Sequence, residues 1–484
     1  MAGRELGVAR RLIRAARREV DPRSKWAGEL AACENRLDEP MRVALAGTLK
    51  SGKSTLLNAL IGEEIAPTDA TECTRVVTWF RRSAAPRIDL VARGERRRLP
   101  VLRPGGRLTL DLGVPADSVE RLTVCWPSSL LDDYTVIDTP GTSSNSRDVS
   151  ERTLALLAPE DGPCEADAVV YLMRDLRDTD VQLLQRIQRQ MTTGGGPLGV
   201  VGVLSRADEI DGGRGESLAS AHRLSAALAE APELRGLHQS FIPVSGLLAL
   251  RGQTLRGTEF LALRALAAMG PGALDTALIS AARFAAPEND LPVSAADRHH
   301  LVEAFGLFGI RMAVTMIRNG CGDAPALSRE LVRHSGLDEL RRTLNIQFGQ
   351  RNEQLRAHAA LSMLARVLSR HPTAATPELS NHVARLLADT HMFTELRLLS
   401  SIRATRLSED DRARATRVLG GTGTGAQQRL ALPADASMAE CRAVALRAID
   451  YWRGRLDNPL LDPVTATTCR AAARSCEAIV ATNG

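Results

Sequence analysis

An α/β domain with a mostly parallel sheet flanked by helices, joined to an all-α bundle, is expected from this chain of 484 residues, and three observations lead there. Gly47-Thr-Leu-Lys-Ser-Gly52-Lys53-Ser54 fits the phosphate-loop pattern G-x-x-x-x-G-K-S/T. An alternating apolar run (Val43, Leu45) precedes it and a helix-periodic one (Leu56, Leu57, Leu60, Ile61) follows. Two buried-type apolar runs, residues 168–173 and 199–204, flank a helical stretch, as parallel strands joined by crossovers do. Beyond Arg351 the apolar positions recur at helical spacing, and with aromatics at only 3% the composition favours helices over further sheet.

Composition narrows the classes. The formal charge of +5 is small for this length, and Arg is interspersed with Asp and Glu, so no nucleic-acid partner is indicated. The eight cysteines form no C-x-x-C and pair with no His spacing, which argues against a zinc site or a disulfide framework and for a reducing cytosol. The N-terminus lacks the apolar core of a signal peptide. The longest apolar window outside the strands, residues 305–317, contains Arg311 and falls short of the roughly 20 residues of a bilayer span, so membrane contact is expected to be peripheral.

Residues 5–20 place Leu6, Ala9, Ile13, Ala16 and Val20 along one helical face among arginines. An interfacial membrane helix and a helix packed on others both fit, and the Ala-rich apolar side without Trp or Phe favours packing. A second helix is expected over residues 25–37, after Pro22.

In the phosphate loop, Gly47 and Gly52 permit the turn that aims Thr48, Leu49, Lys50, Ser51 and Thr55 main-chain N–H groups at a polyphosphate. Lys53 is placed to reach the β- and γ-phosphates and Ser54 to ligate Mg²⁺. Lys25, Lys50 and Lys53 are the only lysines in an otherwise Arg-based chain, so a compact ammonium stands where one is needed. The polar loop 66–75 then offers Thr74 as a hydroxyl for Mg²⁺ and the γ-phosphate, with Thr68 and Thr71 as competitors. Residues 83–130 read as short strands and hairpins, and Arg96-Arg97-Arg98 as a solvated face.

An apolar strand ending in Asp138-Thr-Pro-Gly141 follows. Asp138 can hold Mg²⁺ through water, and the Gly141 N–H can bond a γ-phosphate and release it after hydrolysis. The strand 199–204 runs into Ser205-Arg206-Ala-Asp208. The Asp208 carboxylate can accept from guanine N1–H and N2–H, a donor pair adenine lacks, while Arg206 can lie flat along the base. Ser205 is a weaker structural hydrogen-bonder than the usual Asn, which leaves an ATPase in play. Ser245 and Gly246 are expected to bring main-chain N–H groups near O6.

In order, G-x-x-x-x-G-K-S, Thr74, D-T-P-G, S-R-A-D and V-S-G resemble the five signature elements of a GTPase. The spacing to P-T-x-x-x-x-C-T-R resembles the dynamin superfamily. The blocks A-L-A-G-T-L-K-S-G-K-S-T, D-T-P-G-T-S-S, S-R-A-D-E-I and P-V-S-G-L-L-A-L, within residues 41–315, are similar to bacterial dynamin-like proteins. The resemblance implies a P-loop GTPase domain using GTP/GDP and Mg²⁺, a helical neck, nucleotide-dependent self-association across the GTP face, and work on membranes. Because Ser335-Gly-Leu-Asp-Glu-Leu resembles the closing helix of such domains, the GTPase domain is assigned to residues 40–350 with a helical insertion at 255–333. The neck is assigned to residues 1–39 together with 351–484.

Lys50 occupies the slot where a related branch carries a catalytic arginine, so it is either a transition-state cation supplied within the chain or a solvent-facing loop residue. The run Gly420-Gly-Thr-Gly-Thr-Gly425 reads as a flexible connector. No apolar paddle stands out in the last third, so membrane binding is expected to be weak or to depend on a longer dynamin-like partner, at the cytoplasmic face of the bacterial plasma membrane. A slow GTP-binding switch or scaffold that remodels no lipid is the alternative.

Overall fold

The computed structural model describes residues 4–67, 76–141, 153–157, 159, 164–192, 199–213, 215–373, 375–389 and 391–482. Its centre is a nine-stranded sheet: β1 (Met41–Gly47), β2 (Thr78–Arg82), β3 (Arg87–Ala92), β4 (Glu95–Leu99), β5 (Val119–Trp126), β6 (Tyr134–Asp138), β7 (Ala168–Met173), β8 (Val200–Ser205) and β9 (Ser240–Val244). The spatial order is β4-β3-β5-β2-β6-β1-β7-β8-β9. From β6 through β1, β7 and β8 to β9 every pairing is parallel, whereas β2/β6, β3/β5 and β3/β4 are antiparallel. β7 and β8 are buried along their whole length, as strands covered on both faces must be.

Each sheet face carries its own core. Leu56, Leu60, Leu250, Leu337 and Leu340 cover one side. Leu184, Ile187, Ala221 and Leu228 cover the other. Leu248 begins a third core with Leu263, Phe284, Phe305 and Leu331, all within the helical segment that follows β9. There the helix Ala295–Arg318 breaks its helical geometry at Gly306 (φ 62°). With 24 residues it outruns the apolar window read from sequence and is long and apolar enough to cross a membrane, yet half of its apolar stretch is buried. Its Arg298 donates to the carbonyls of Phe284, Val293 and Ala286 at 2.6–2.7 Å, which fixes it as a core helix of this domain.

The first helix, Arg4–Arg18, buries Ala9, Ile13 and Ala16 against Ala360, Leu364 and Leu368 of the helix Asn352–Arg370. A fully buried Ile contributes about 1.5–3 kcal/mol, more than headgroup contact offers this Ala-rich face, so packing prevails. The last helices, Met438–Leu456 and Pro463–Thr482, close a separate core around Trp452, Cys469 and Cys476.

Polar joints tie these layers. Arg36, at the end of the helix Lys25–Arg36, forms a buried ion pair with Asp167, whose carboxylate also accepts from Arg42 N at 2.7 Å. Arg351 donates to the carbonyls of Ile346, Gln347, Leu419 and Gly420, and burial pulls its pKa down to about 10. The Gly/Thr run is a connector, but a tethered one. Gln350 Oε1 accepts from both Thr424 N (2.9 Å) and Thr424 Oγ1 (3.0 Å), and Arg351 holds Gly420.

Candidate nucleotide site

β1 ends at Gly47, where φ is 146° and a Cβ would sit 2.1 Å from the Leu172 carbonyl of β7, so no other residue fits. Lys50 (φ 61°) and Gly52 (φ 87°) supply two more left-handed steps, and Gly52 starts the helix Lys53–Ile61 without a side-chain cap. The successive N–H groups thus form a concave nest at a helix N-terminus, favourable to anions. Leu49 and Lys50 are exposed at its rim and Thr48 and Thr55 are half-buried. A lysine at positive φ costs on the order of 1 kcal/mol, a strain that collects at functional loops.

Lys53 is buried and donates to the carbonyls of Gly47 (3.1 Å) and Thr48 (3.0 Å). Burial lowers its pKa, against the pull of the Asp138 carboxylate. The Ser54 hydroxyl donates to Asp138 Oδ2 at 2.9 Å. Burial pushes the Asp138 carboxyl up to about 6, opposed by Lys53 and by Ser54. Its Oδ1 is buried without a hydrogen-bond partner, as is Ser51 Oγ. Among the described residues no group of three or more His, Cys, Asp or Glu gathers to hold a metal. A lone carboxylate with an orphaned oxygen beside a serine hydroxyl suits Mg²⁺, which takes few protein oxygens and leaves its other positions to water and phosphate. Thr74 lies outside the described residues, with Thr68 and Thr71.

The D-T-P-G turn is pressed onto the loop. A Cβ on Gly141 would approach Leu49 Cα to 2.7 Å and Leu49 N to 3.0 Å. Thr139 fastens the turn, with Oγ1 and N both donating to Leu45 O, at 2.8 and 3.2 Å.

A cleft of ≈ 600 Å³, open to solvent, continues from the loop; Ser51, Gly52 and Thr55 form one wall and Ser205, Arg206, Asp208, Glu209, Gly246 and Leu247 another. Ser205 is buried and donates to Met173 O (3.1 Å), tying β8 to β7. Arg206 takes a left-handed φ of 53° and pairs with Glu209 Oε1 at 2.6 Å, while Glu209 also holds Arg174 at 2.8 Å. Burial raises the pKa of Asp208, and a hydrogen bond from Ser245 lowers it. One expectation changes here. The Ser245 N–H donates to Ser335 O at 2.9 Å and its hydroxyl accepts from Leu248 N, so Ser245 braces Asp208 and caps the helix Gly246–Thr254, while Gly246 lines the cleft.

The loop and the S-R-A-D segment therefore line one cleft, and Asp138 and Gly141 touch the loop beside it. Sequence reading missed Glu209, although it directly follows Asp208, and the apolar walls Leu56, Leu172, Val203 and Leu247. It also missed Asn58, buried in the loop helix, which accepts from Ile65 N and Ala66 N and donates to Ala66 O, fixing the chain just before residue 68. Neither belongs to a motif: Glu209 pairs with Arg206 three residues back and with Arg174 beyond β7, and Asn58 with the chain seven and eight residues on.

A nest at the end of a central parallel strand, an acid at the end of the next and a base-sized cleft beyond define a phosphate-loop nucleotide-binding domain of the GTPase type. Residues 43–100 match the dynamin family. The chain is 49% identical over 451 residues to the isoniazid-induced protein IniC of Mycobacterium tuberculosis, spanning 92% of this chain and 91% of that protein. It is 33% identical over 171 residues to the isoniazid-induced protein IniA of the same organism, spanning 32% of this chain and 24% of IniA. A solved oligomerised bacterial dynamin pair aligns with 99% of this chain and 74% of its own at 11% identity and a TM-score of 0.37. The chain belongs to the dynamin family, as a bacterial dynamin-like GTPase.

Proposed function

We propose that this chain binds GTP with Mg²⁺ in the cradle opening at Gly47, hydrolyses it, and couples the cycle to pairing with itself across the GTP face and to membrane remodelling at the inner face of a bacterial plasma membrane. The observation that carries the reading is the Ser54–Asp138 hydrogen bond beside the buried Lys53 ammonium at the floor of the loop. Lys53 and the loop N–H groups neutralise the β- and γ-phosphates. Ser54, Thr74 and, through water, Asp138 would hold Mg²⁺, which would supply positive charge against the phosphates. Gly141 offers its N–H to the γ-phosphate, so loss of that phosphate frees the turn from Leu49. Lys50, at the rim, supplies a cation as charge develops in transfer. Asp208 accepts from the guanine edge, and Arg206, steadied by Glu209, covers the base plane.

The GTPase domain in this reading comprises residues 40–350 with a helical insertion at 255–333, and the neck comprises 1–39 with 351–484. The packing of Ala9, Ile13 and Leu30 on Leu361 and Leu364 supports a neck shared by the two ends of the chain. Similarity to both IniC and IniA supports a second dynamin-like chain as partner, with lipid contact weak or indirect. GTP turnover measured against protein concentration, with and without anionic liposomes, tests the function. A rate per molecule that climbs with either supports it; flat, slow turnover supports a switch. Competition of labelled GTP by ATP separates guanine from adenine use.

A further inference from the structure

One stretch of the chain carries a large excess of positive charge. Residues 81–107 carry nine arginines against Asp89 and Glu95, a net of +7, so the remainder is −2 against the total of +5. The triplet Arg96-Arg97-Arg98 read alone as a solvated face, but the sheet gives part of it company. Register sets Arg81 opposite Cys125 and Cys125 opposite Arg87. Asp89 lies opposite Arg98 on one side and Thr123 on the other, and Val91 opposite Arg96 and Arg121. Residues directly opposite share a face, so β2, β5, β3 and β4 present Arg81, Arg121, Arg87, Arg96 and Arg98 on one surface.

Carboxylates do not balance it. Asp89 meets Arg87 (2.9 Å), Arg96 (3.3 Å) and Arg98 (3.8 Å) and Glu165 meets Arg121 (3.3 Å), two carboxylates against five arginines, and Arg96 and Arg98 remain 70% exposed. Charged residues on an edge strand discourage stray pairing, which accounts for β4 but not for Arg81, Arg87 and Arg121 on interior strands. Just past β4 in the chain, Val101 and Leu102 are 36% and 53% exposed.

We propose that this arginine-lined sheet face docks on an anionic phospholipid surface. Guanidinium forks match phosphate oxygens, and a cluster of basic side chains is drawn to an anionic headgroup layer. Single-stranded nucleic acid needs exposed aromatics for stacking. Trp79, the aromatic on this face, is 2% exposed and covered by Arg42, Arg81 and Arg121, whose guanidinium carbons lie 4.8–5.3 Å from its ring centre. The face lies at the end of the sheet opposite β8 and β9, so the nucleotide cleft stays open while the protein sits on lipid.

This inference rests on the membrane part of the proposed function and names the surface that performs it. The test is co-sedimentation of the full chain with phosphatidylcholine vesicles, with and without phosphatidylglycerol. Binding is expected only with phosphatidylglycerol, reversible by added salt, and reduced on the order of 10-fold or more by R96E/R98E. R96Q/R98Q should fall between, and basal GTP turnover without vesicles should match the wild type in both, which separates lost docking from lost fold. Should the wild type bind neither vesicle, this face is refuted, and the membrane function stands only on indirect contact through a partner chain. If the wild type binds and both variants bind equally well, or if phosphatidylcholine alone suffices, only the face is refuted. Tighter, variant-sensitive binding of an oligonucleotide would overturn the lipid assignment in favour of nucleic acid.

Discussion

Lys50 and Gly141 face the same few ångströms of loop from opposite directions. Lys50 keeps a positive φ at the exposed rim, and Gly141 lets the D-T-P-G turn rest on Leu49. Replacing Lys50 by Ala removes a cation that meets charge only as transfer proceeds, so kcat should fall on the order of 10³-fold with GTP affinity kept. Single-turnover kinetics beside equilibrium binding checks this, and unchanged turnover would assign Lys50 to solvent. Gly141→Ala pushes a methyl into the Leu49 backbone, so it should slow hydrolysis and weaken triphosphate binding more than diphosphate binding, as measured by competitive titration of GTP and GDP. At this scale the sequence was most legible where chemistry is local. Gly47, Gly52, Lys53, Ser54 and Asp138 announce themselves by spacing and strand context. The diversion of the Ser245 N–H to Ser335 depends on a contact between distant elements, which no local pattern encodes, whereas Glu209 pairs with Arg206 three residues back and Asn58 with residues 65 and 66, short-range contacts that carry no motif.

Between elements, two buried histidines sit where helices meet the sheet. His358, on Asn352–Arg370, packs its ring 4.2 Å from Phe393, and burial lowers its pKa to about 4, with the Arg397 charge adding and Asp167 opposing. His238, just before β9, is likewise lowered to about 4 by burial and by Arg403. Both fold neutral, so between pH 6.5 and 4 the unfolded chain binds more protons than the folded one. Stability is therefore present above pH 6.5 and is lost as pH falls through that window, by about 2 kcal/mol per histidine at pH 5. Urea midpoints at pH 7 and 5 should show the loss, and His358→Phe should remove about half of it. Arg351 is the other joint. Arg351→Met leaves four carbonyls without their donor and should cost about 3 kcal/mol of stability. It should also flatten any rise of turnover with protein concentration while sparing GTP affinity. The helices themselves were readable from apolar spacing, as in Ala9, Ile13 and Ala16. That Arg351 would clamp the Gly/Thr connector was not, because Gly420 gives no sign of what approaches it.

Across the whole molecule the sheet does two separate things. Its parallel half, β6 to β9, carries the nucleotide, and its antiparallel end, β5-β3-β4, gathers charge. The first half was legible because buried parallel strands read as continuous apolar runs. In the second the short strands and hairpins were legible, but the arginine face was not, since only register brings those arginines side by side. Both halves lean on one claim, that a magnesium-bound guanosine triphosphate occupies the loop at Gly47. Titration calorimetry of GTP with Mg²⁺ into the wild type and into Lys53→Ala tests it most directly. A saturable heat for the wild type and none for a folded Lys53→Ala is the predicted result; equal heats from the two proteins would contradict it.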